Sequence, residues 1–204
     1  MMRSVSTLIA LAGIVGAPAA AQAPKPLEES SANARVQMAR FATCVADRSP
    51  EKAARTISMD FRSTTYRSAL KNLSDANRDC YGYRSTMRAG GLSFAGALAE
   101  RLLERDASPL NARIIRAGSA QTAARGPSDA IALCVVRSAP DDVARLFATE
   151  VASAAERDAV KALQVATDAC ARNQARLETT PEGLRAMLAT AAFRTVTTSV
   201  AEAN

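Results

Sequence analysis

The chain of 204 residues contains no histidine and no tryptophan, and its aromatic content is only 4%. Without histidine it lacks the commonest general base, the usual partner of a nucleophilic serine or cysteine, and the usual imidazole metal ligand. With so few aromatics, a stable core has to be assembled from many small contacts rather than a few large ones. No two of the four cysteines stand close in sequence, which leaves out Cys-x-x-Cys redox chemistry and zinc sites of short spacing. No phosphate-binding glycine loop occurs. Past the first two dozen residues no run is apolar enough to span a bilayer, which takes about 20 residues.

What is present begins with an export-like leader. Arg3 supplies a positive start, the apolar run Leu8 to Ala17 follows, and small residues from Ala17 to Ala23 close it. Cleavage after Ala21 avoids a mature chain starting at Pro24, so residues 1–21 are expected to be a signal peptide. Residues 22–32, with Pro24, Pro26 and the Ser30-Ser31 pair, read as a flexible lead-in. The expected location is periplasmic or secreted, with no transmembrane anchor in the mature chain. In such a compartment four cysteines read as disulfides.

The strongest internal signal is a repeat. A shift of 90 residues places Cys44 on Cys134, Val45 on Val135, Pro50 on Pro140 and Cys80 on Cys170, with 12 of 37 positions identical between the cysteine pairs. Unrelated alanine-rich sequence should give about three or four matches, so a duplicated unit is expected. The Ala-rich composition favours helices. The expected fold is all-α, with two tandem four-helix repeats each closed by a disulfide. Repeat 1 is placed at 33–107, a linker at 108–127, repeat 2 at 128–195 and a C-terminal tail at 196–204. Cys44 with Cys80 and Cys134 with Cys170 is one of three pairings. Duplication favours it, because a copied unit brings its own crosslink, worth roughly 4 kcal/mol by loop entropy.

Local patterns place the helices. Met38, Phe41 and Val45 mark the first, over about Asn33 to Asp47. Ser49-Pro50-Glu51, with Ser49 as cap, opens a short second helix carrying Ala54 and Ile57; Ala139-Pro140-Asp141 repeats it with Ala144 and Phe147. Glu51 with Arg55, and Asp141 with Arg145, stand in acid-first order four apart. The third helix shows the stripe Tyr66, Leu70, Leu73, Asn77, Cys80. Its counterpart is Glu156, Val160, Leu163, Thr167, Cys170, opened by a Ser153 to Glu156 capping box. A fourth helix starts near Ser93, burying Phe94, Leu98 and Leu102, and again at Thr180-Pro181-Glu182, burying Leu184, Leu188 and Ala191 with Phe193. Leu110 to Ile115 is a candidate short helix, and Thr195 to Asn204 is expected to fray.

Two fragments imitate catalytic motifs. Gly91-Leu92-Ser93-Phe94-Ala95 half matches a nucleophile elbow but lacks the preceding strand, the final glycine and a histidine. Ser68-Ala69-Leu70-Lys71 has the Ser-x-x-Lys spacing, yet its copy carries Asp158 in place of the serine. No catalytic residue, cofactor or metal is expected, and the protein is read as a non-enzyme. The net charge of +6 is concentrated in residues 34–107, which hold 13 Lys plus Arg against 8 Asp plus Glu. Arg67 and Lys71, kept as Arg157 and Lys161, are candidate anion-binding residues. Arg62, Arg78, Arg84 and Arg88, with Tyr66, Tyr81 and Tyr83 interleaved, extend this strip. For an exported chain the matching partners are anionic lipid, acidic polysaccharide or an envelope protein rather than nucleic acid. The plain alternative is a solvated arginine-rich flank.

Cys44-Val45 with Pro50, and Cys134-Val135 with Pro140, are each followed by a helical stripe ending in a second cysteine. This resembles a group of uncharacterised exported helical proteins from alphaproteobacteria in which such units recur. The resemblance covers most of residues 34–195 and implies no activity, cofactor or catalytic residue. The expected role is non-enzymatic, either envelope binding or structural. The competing expectation is a periplasmic protein-binding module of chaperone, inhibitor or immunity type.

Overall fold

Hydroxyls and prolines start the helices of this chain. The computed structural model describes residues 29–81, 91–119, 122–172, 174 and 177–202, and these form ten α-helices with no strand among them. Ser31, Ser63, Ser153 and Thr180 each accept a backbone N–H from three residues on, at 3.3, 3.0, 3.1 and 3.1 Å. They open α1 (Ala32–Arg48), α3 (Thr64–Ala76), α8 (Ala154–Ala162) and α10 (Pro181–Glu202). Proline occupies the first position of α2 (Pro50–Ser58), α6 (Pro127–Ser138) and α7 (Pro140–Phe147), where its missing N–H costs nothing. α4 (Gly91–Glu104), α5 (Leu110–Arg116) and α9 (Gln164–Ala171) complete the set. The expected signal peptide at 1–21, and Tyr83, Arg84 and Arg88, lie outside the described residues.

Both disulfides join the expected partners, Cys44 to Cys80 and Cys134 to Cys170, each with Cα atoms 5.8 Å apart. Each staples the first helix of its half to the end of the third stripe. Tyr66, Leu70, Leu73 and Asn77 of that stripe are all buried. The helix itself stops at Ala76, and residues 78–80 turn as a short 3₁₀ segment. In the second half the same run is split into α8 and α9 at Leu163.

Several local expectations are corrected. Ser49 makes no side-chain cap. It and Ala139 share one backbone conformation, φ −137° ψ 53° against φ −134° ψ 52°, so the hydroxyl is dispensable there. Arg145 pairs with Asp142 rather than Asp141, whose carboxylate accepts from Asn111 Nδ2. In α7, Val143 and Leu146 are the buried pair, while Ala144 and Phe147 are half-buried. In α4, Leu103 is buried and Leu102 half-buried.

The short helix expected over Leu110 to Ile115 is present as α5. α5 packs on α7 and α10, burying Ile114 and Arg113, and the Arg113 guanidinium donates to Leu103 O at 2.7 Å. The C-terminal segment does not fray at Thr195 either, since α10 runs to Glu202 with Thr195 fully buried and Val196 nearly so. The hydroxyls of Thr195, Thr197 and Thr198 fold back onto carbonyls four residues earlier, at 2.8–2.9 Å. Burial against neighbouring helices outweighs the weak helix propensity of threonine.

The buried apolar residues of both halves form one continuous core. Its centre is α10 packed on α4, with α1 on the far side of α4 and α6 on the far side of α10. The two central helices cross at Gly96 and Ala186, positions 90 apart in sequence. A Cβ built on Gly96 would stand 2.4 Å from Ala186 Cα, so glycine is required by the close approach of two backbones. Gly96→Ala is therefore expected to destabilise the fold by about 2 kcal/mol despite alanine's better helix propensity. Gly118→Ala, with nothing within 4 Å of the new carbon, should be neutral within about 0.5 kcal/mol. Urea unfolding under non-reducing conditions measures both; equal midpoints for the two variants would count against the tight crossing.

Candidate functional site: a polar cleft on a buried ionic frame

The stripe of α8 carries a carboxylate, Glu156, at a position that faces the core. Ser153 caps α8 as expected, but the Glu156 side chain does not return to the Ser153 N–H. Its Oε2 accepts the N–H of Ala152 at 2.9 Å, and Ala152 stands in the left-handed region at φ 64°. The same carboxylate receives Arg35 Nη2 of α1 on both oxygens at 2.7 Å, and Arg185 Nη1 of α10 at 3.0 Å. Glu156 is 0% exposed and both arginines are buried. A lone ionised carboxylate in such a place would cost several kcal/mol, and two guanidiniums with a backbone N–H offset that cost.

Each arginine continues the chain of charges outward. Arg35 Nη1 reaches Glu29 at 2.9 Å. Arg185 Nε donates to Glu100 Oε2 of α4 at 2.8 Å and its Nη atoms donate to Thr149 Oγ1 and O, both at 3.1 Å. Acids and bases thus alternate from Glu29 through Arg35, Glu156 and Arg185 to Glu100, crossing from the N-terminal half of the chain to the C-terminal half and back. Burial pushes the Glu100 carboxyl above the usual carboxylate range; Arg185 opposes this, and the charges of Glu104 and Glu156 add to it.

Above this frame lies a cavity of about 240 Å³. Its walls are Arg35, Met38, Ala39 and Thr43 of α1; Ser93, Gly96, Ala97, Glu100, Arg101 and Glu104 of α4; Phe147 of α7 with Thr149, Glu150 and Val151 beyond it; and Glu182, Arg185 and Ala186 of α10. Small residues at 39, 96, 97 and 186 make the room. A shallow groove along Val36, Ala39, Arg40 and Thr43 continues from it past Glu150 and Val151. Arg101 closes one end through Asp47, at 2.9 and 3.1 Å, and Glu104 at 3.2 Å. Glu182 Oε1 takes the Ser93 hydroxyl at 2.7 Å, and its Oε2 the Ser30 N–H at 3.3 Å.

The basic residues singled out from sequence lie elsewhere. Arg67, Lys71, Arg157 and Lys161 are all exposed, on α3 and α8. Lys71 pairs with Asp75, which also holds Arg78, and Lys161 stands 3.6 Å from Asp158. The structure does not gather the two pairs on one helix face: α3 packs on α2 and α4, whereas α8 packs on α7, α9 and α10. Tyr66 is buried and the Tyr81 ring stacks on Phe41 with centroids 4.1 Å apart, so neither is interleaved with the exposed cations. Ser68 and Lys71 are both exposed, and the Lys71 ammonium is turned to Asp75 rather than to the hydroxyl. Among the described residues no group of acids or cysteines is arranged to hold a metal ion, and no helix is long and apolar enough to cross a membrane.

Matched against known protein families, curated proteins and solved structures, the chain finds no counterpart.

Two outcomes follow for the frame. Glu156→Gln leaves Arg35 and Arg185 facing each other without their shared anion, and should cost about 3–5 kcal/mol in urea unfolding. A loss below about 1 kcal/mol would show that the frame adds little. Glu100 holds its proton more readily folded than unfolded. Its contribution to stability is therefore complete below the ordinary carboxylate pKa and is lost as pH rises through the raised folded value. The stability of the natural protein relative to Glu100→Gln should fall across that window and be flat outside it; a rise would mean that Arg185 outweighs burial.

Proposed function

We propose that this is an exported, non-enzymatic binding protein of an oxidising compartment, periplasmic or secreted, and that the cleft over the Arg35–Glu156–Arg185 frame is where its ligand sits. The architecture behind it is two tandem copies of one disulfide-closed helical unit. The leader-like start, the two closed disulfides and the resemblance to exported alphaproteobacterial helical proteins support the location. Helix starts at Pro50 and Pro140, and at Gly91 and Pro181, repeat the 90-residue offset and support the duplication.

One observation carries the site: a cavity with an apolar floor stands on the buried Arg35–Glu156–Arg185–Glu100 ion pairs, and so is formed before any ligand arrives. Preformed pockets with a few fixed polar groups are the usual form of ligand sites. Its volume is below the roughly 300–1,000 Å³ that encloses drug-sized molecules, so it suits a small solute or one protruding side chain. The exposed cations of α3 and α8 remain the second candidate, as anion-binding surfaces toward lipid or polysaccharide. Arg67 and Arg157 favour this reading, since among the described residues neither is engaged by an acid.

Amide shift mapping on the isotope-labelled, processed protein separates the two. Titration with panels of small cationic, neutral and anionic solutes should move amides of Ala39, Thr43, Ala97 and Val151, and Ala97→Phe should abolish those shifts. Shifts confined to the neighbourhood of Arg67, Lys71, Arg157 and Lys161 would overturn the cleft and place binding on the basic faces.

A further inference from the structure

The charges around the cleft do not balance, although the chain as a whole is basic at +6. Every cation in the lining is already committed to two acids. Arg35 serves Glu29 and Glu156, Arg101 serves Asp47 and Glu104, and Arg185 serves Glu100 and Glu156. Among the described residues, two lining carboxylates have no cation of their own. There Glu182 receives the neutral donors Ser93 Oγ and Ser30 N, and Glu150 is in no ion pair or hydrogen bond through its side chain. Arg40 lies in the adjoining groove, outside the cavity lining.

The frame keeps the arginines from answering this excess. Arg185 is turned to Glu100 and Thr149, and Arg35 to Glu156, with both side chains almost wholly covered. Of these two guanidiniums only Arg35 Nε lacks a hydrogen-bond partner, and it is buried; an anionic ligand seeking a whole guanidinium would have to displace one of those carboxylates. A cationic one would meet unpaired carboxylates over an apolar floor of Met38, Ala39 and Ala97. Burial is the main cause of the upward shift of Glu100, and the charges of Glu104 and Glu156 add to it in the same direction.

Resting on the reading of the cleft as the ligand site, we infer that it accepts a protonated aliphatic amine, with Glu150 and Glu182 as its anionic partners and the α1–α4 floor against its methylenes. A free diamine and a lysine side chain on a polypeptide share this chemistry, and the cavity volume fits either.

Calorimetric titration of the processed protein at low ionic strength tests the inference with three probes: 1,5-diaminopentane, the capped tripeptide Ala-Lys-Ala, and the same peptide with norleucine for lysine. Binding of the diamine alone identifies a free amine, and binding of the lysine peptide identifies a polypeptide side chain. Either result, with the norleucine peptide at least about tenfold weaker, supports the assignment. Glu150→Gln, an exposed position that leaves the frame intact, and Glu182→Gln should each weaken the bound amine by about tenfold. The carbon shift of the Glu100 carboxyl should titrate at lower pH when the amine is bound, which a merely structural role for these acids would not produce. Equal binding of the norleucine peptide, or no amine binding, overturns the inference. If neutral or anionic solutes still shift the cleft amides, the cleft stands without its cation; if nothing shifts them, both readings fail together.

Discussion

A carboxylate with no exposed surface sets the terms for the rest of this molecule. Glu156 has its hydrogen-bonding needs met in the core by Arg35, Arg185 and the Ala152 N–H, and those three groups belong to α1, α10 and the turn before α8. Satisfying one side chain therefore fixes where α1 lies relative to α10. An apolar residue of similar volume could serve stability equally well. What the charged version adds is direction, because a guanidinium must present specific N–H groups, whereas an aliphatic chain could slide.

On the proposed duplication, the two halves have solved the same packing problem with different chemistry, and the cleft is the remainder. Arg35 corresponds to Arg125, which also reaches across to the other half, donating to Ser58 O and Met59 O. Glu156 corresponds to Tyr66, which fills its place in the core with a ring. Ala39 and Glu104 correspond to Asp129 and Arg194, and here the difference matters most. Asp129 and Arg194 form a buried pair with contacts of 2.8 and 3.1 Å, closing the space between α6 and α10. At the matching place between α1 and α4, a methyl group and an outward-turned acid leave the space open.

Much of this was legible in the amino-acid order, and the part that was not has a common cause. Residues that repeat at helical spacing and are apolar announced their burial: Tyr66, Leu70 and Leu73, then Leu184 and Leu188. The cysteines announced their partners through the repeat. Glu156 also stands in a buried stripe, and a carboxylate there demands a cation; in the sequence, the Ser153 to Glu156 capping box accounts for the residue without one. Its partners could not be found locally, since Arg35 is 121 residues away and Arg185 is 29. Arg185 and Glu100 look like ordinary surface residues until α10 is known to be surrounded by α4, α6, α7 and α8. The same enclosure explains the run from Thr195 to Thr198, which by propensity alone should loosen and instead stays wound against its neighbours. The strip of basic residues is hard to weigh for the opposite reason: charge is visible in a sequence, but whether a nearby acid answers it, as Asp75 answers Lys71, depends on rotamers.

The covalent and ionic restraints act on different parts of the structure. Both disulfides close within a half, each joining residues 36 apart, so they limit how far either half can unravel and say nothing about how the halves meet. Among the described residues, that meeting depends on non-covalent contacts: the crossing at Gly96 and Ala186, the packing of α5, Arg125 on the carbonyls of α2, and the alternating acids and bases around Glu156. The first of these is apolar and indifferent to charge, whereas the last passes directly beneath the cleft. A charge added in the cleft, or a proton taken up by Glu100, therefore acts on the electrostatic part of the junction that lies next to it. The sulfur-closed halves on either side keep their shape. That division lets a small helical protein with few aromatic residues keep an open polar site at its centre, since the groups that shape the site are not the ones that hold each half closed.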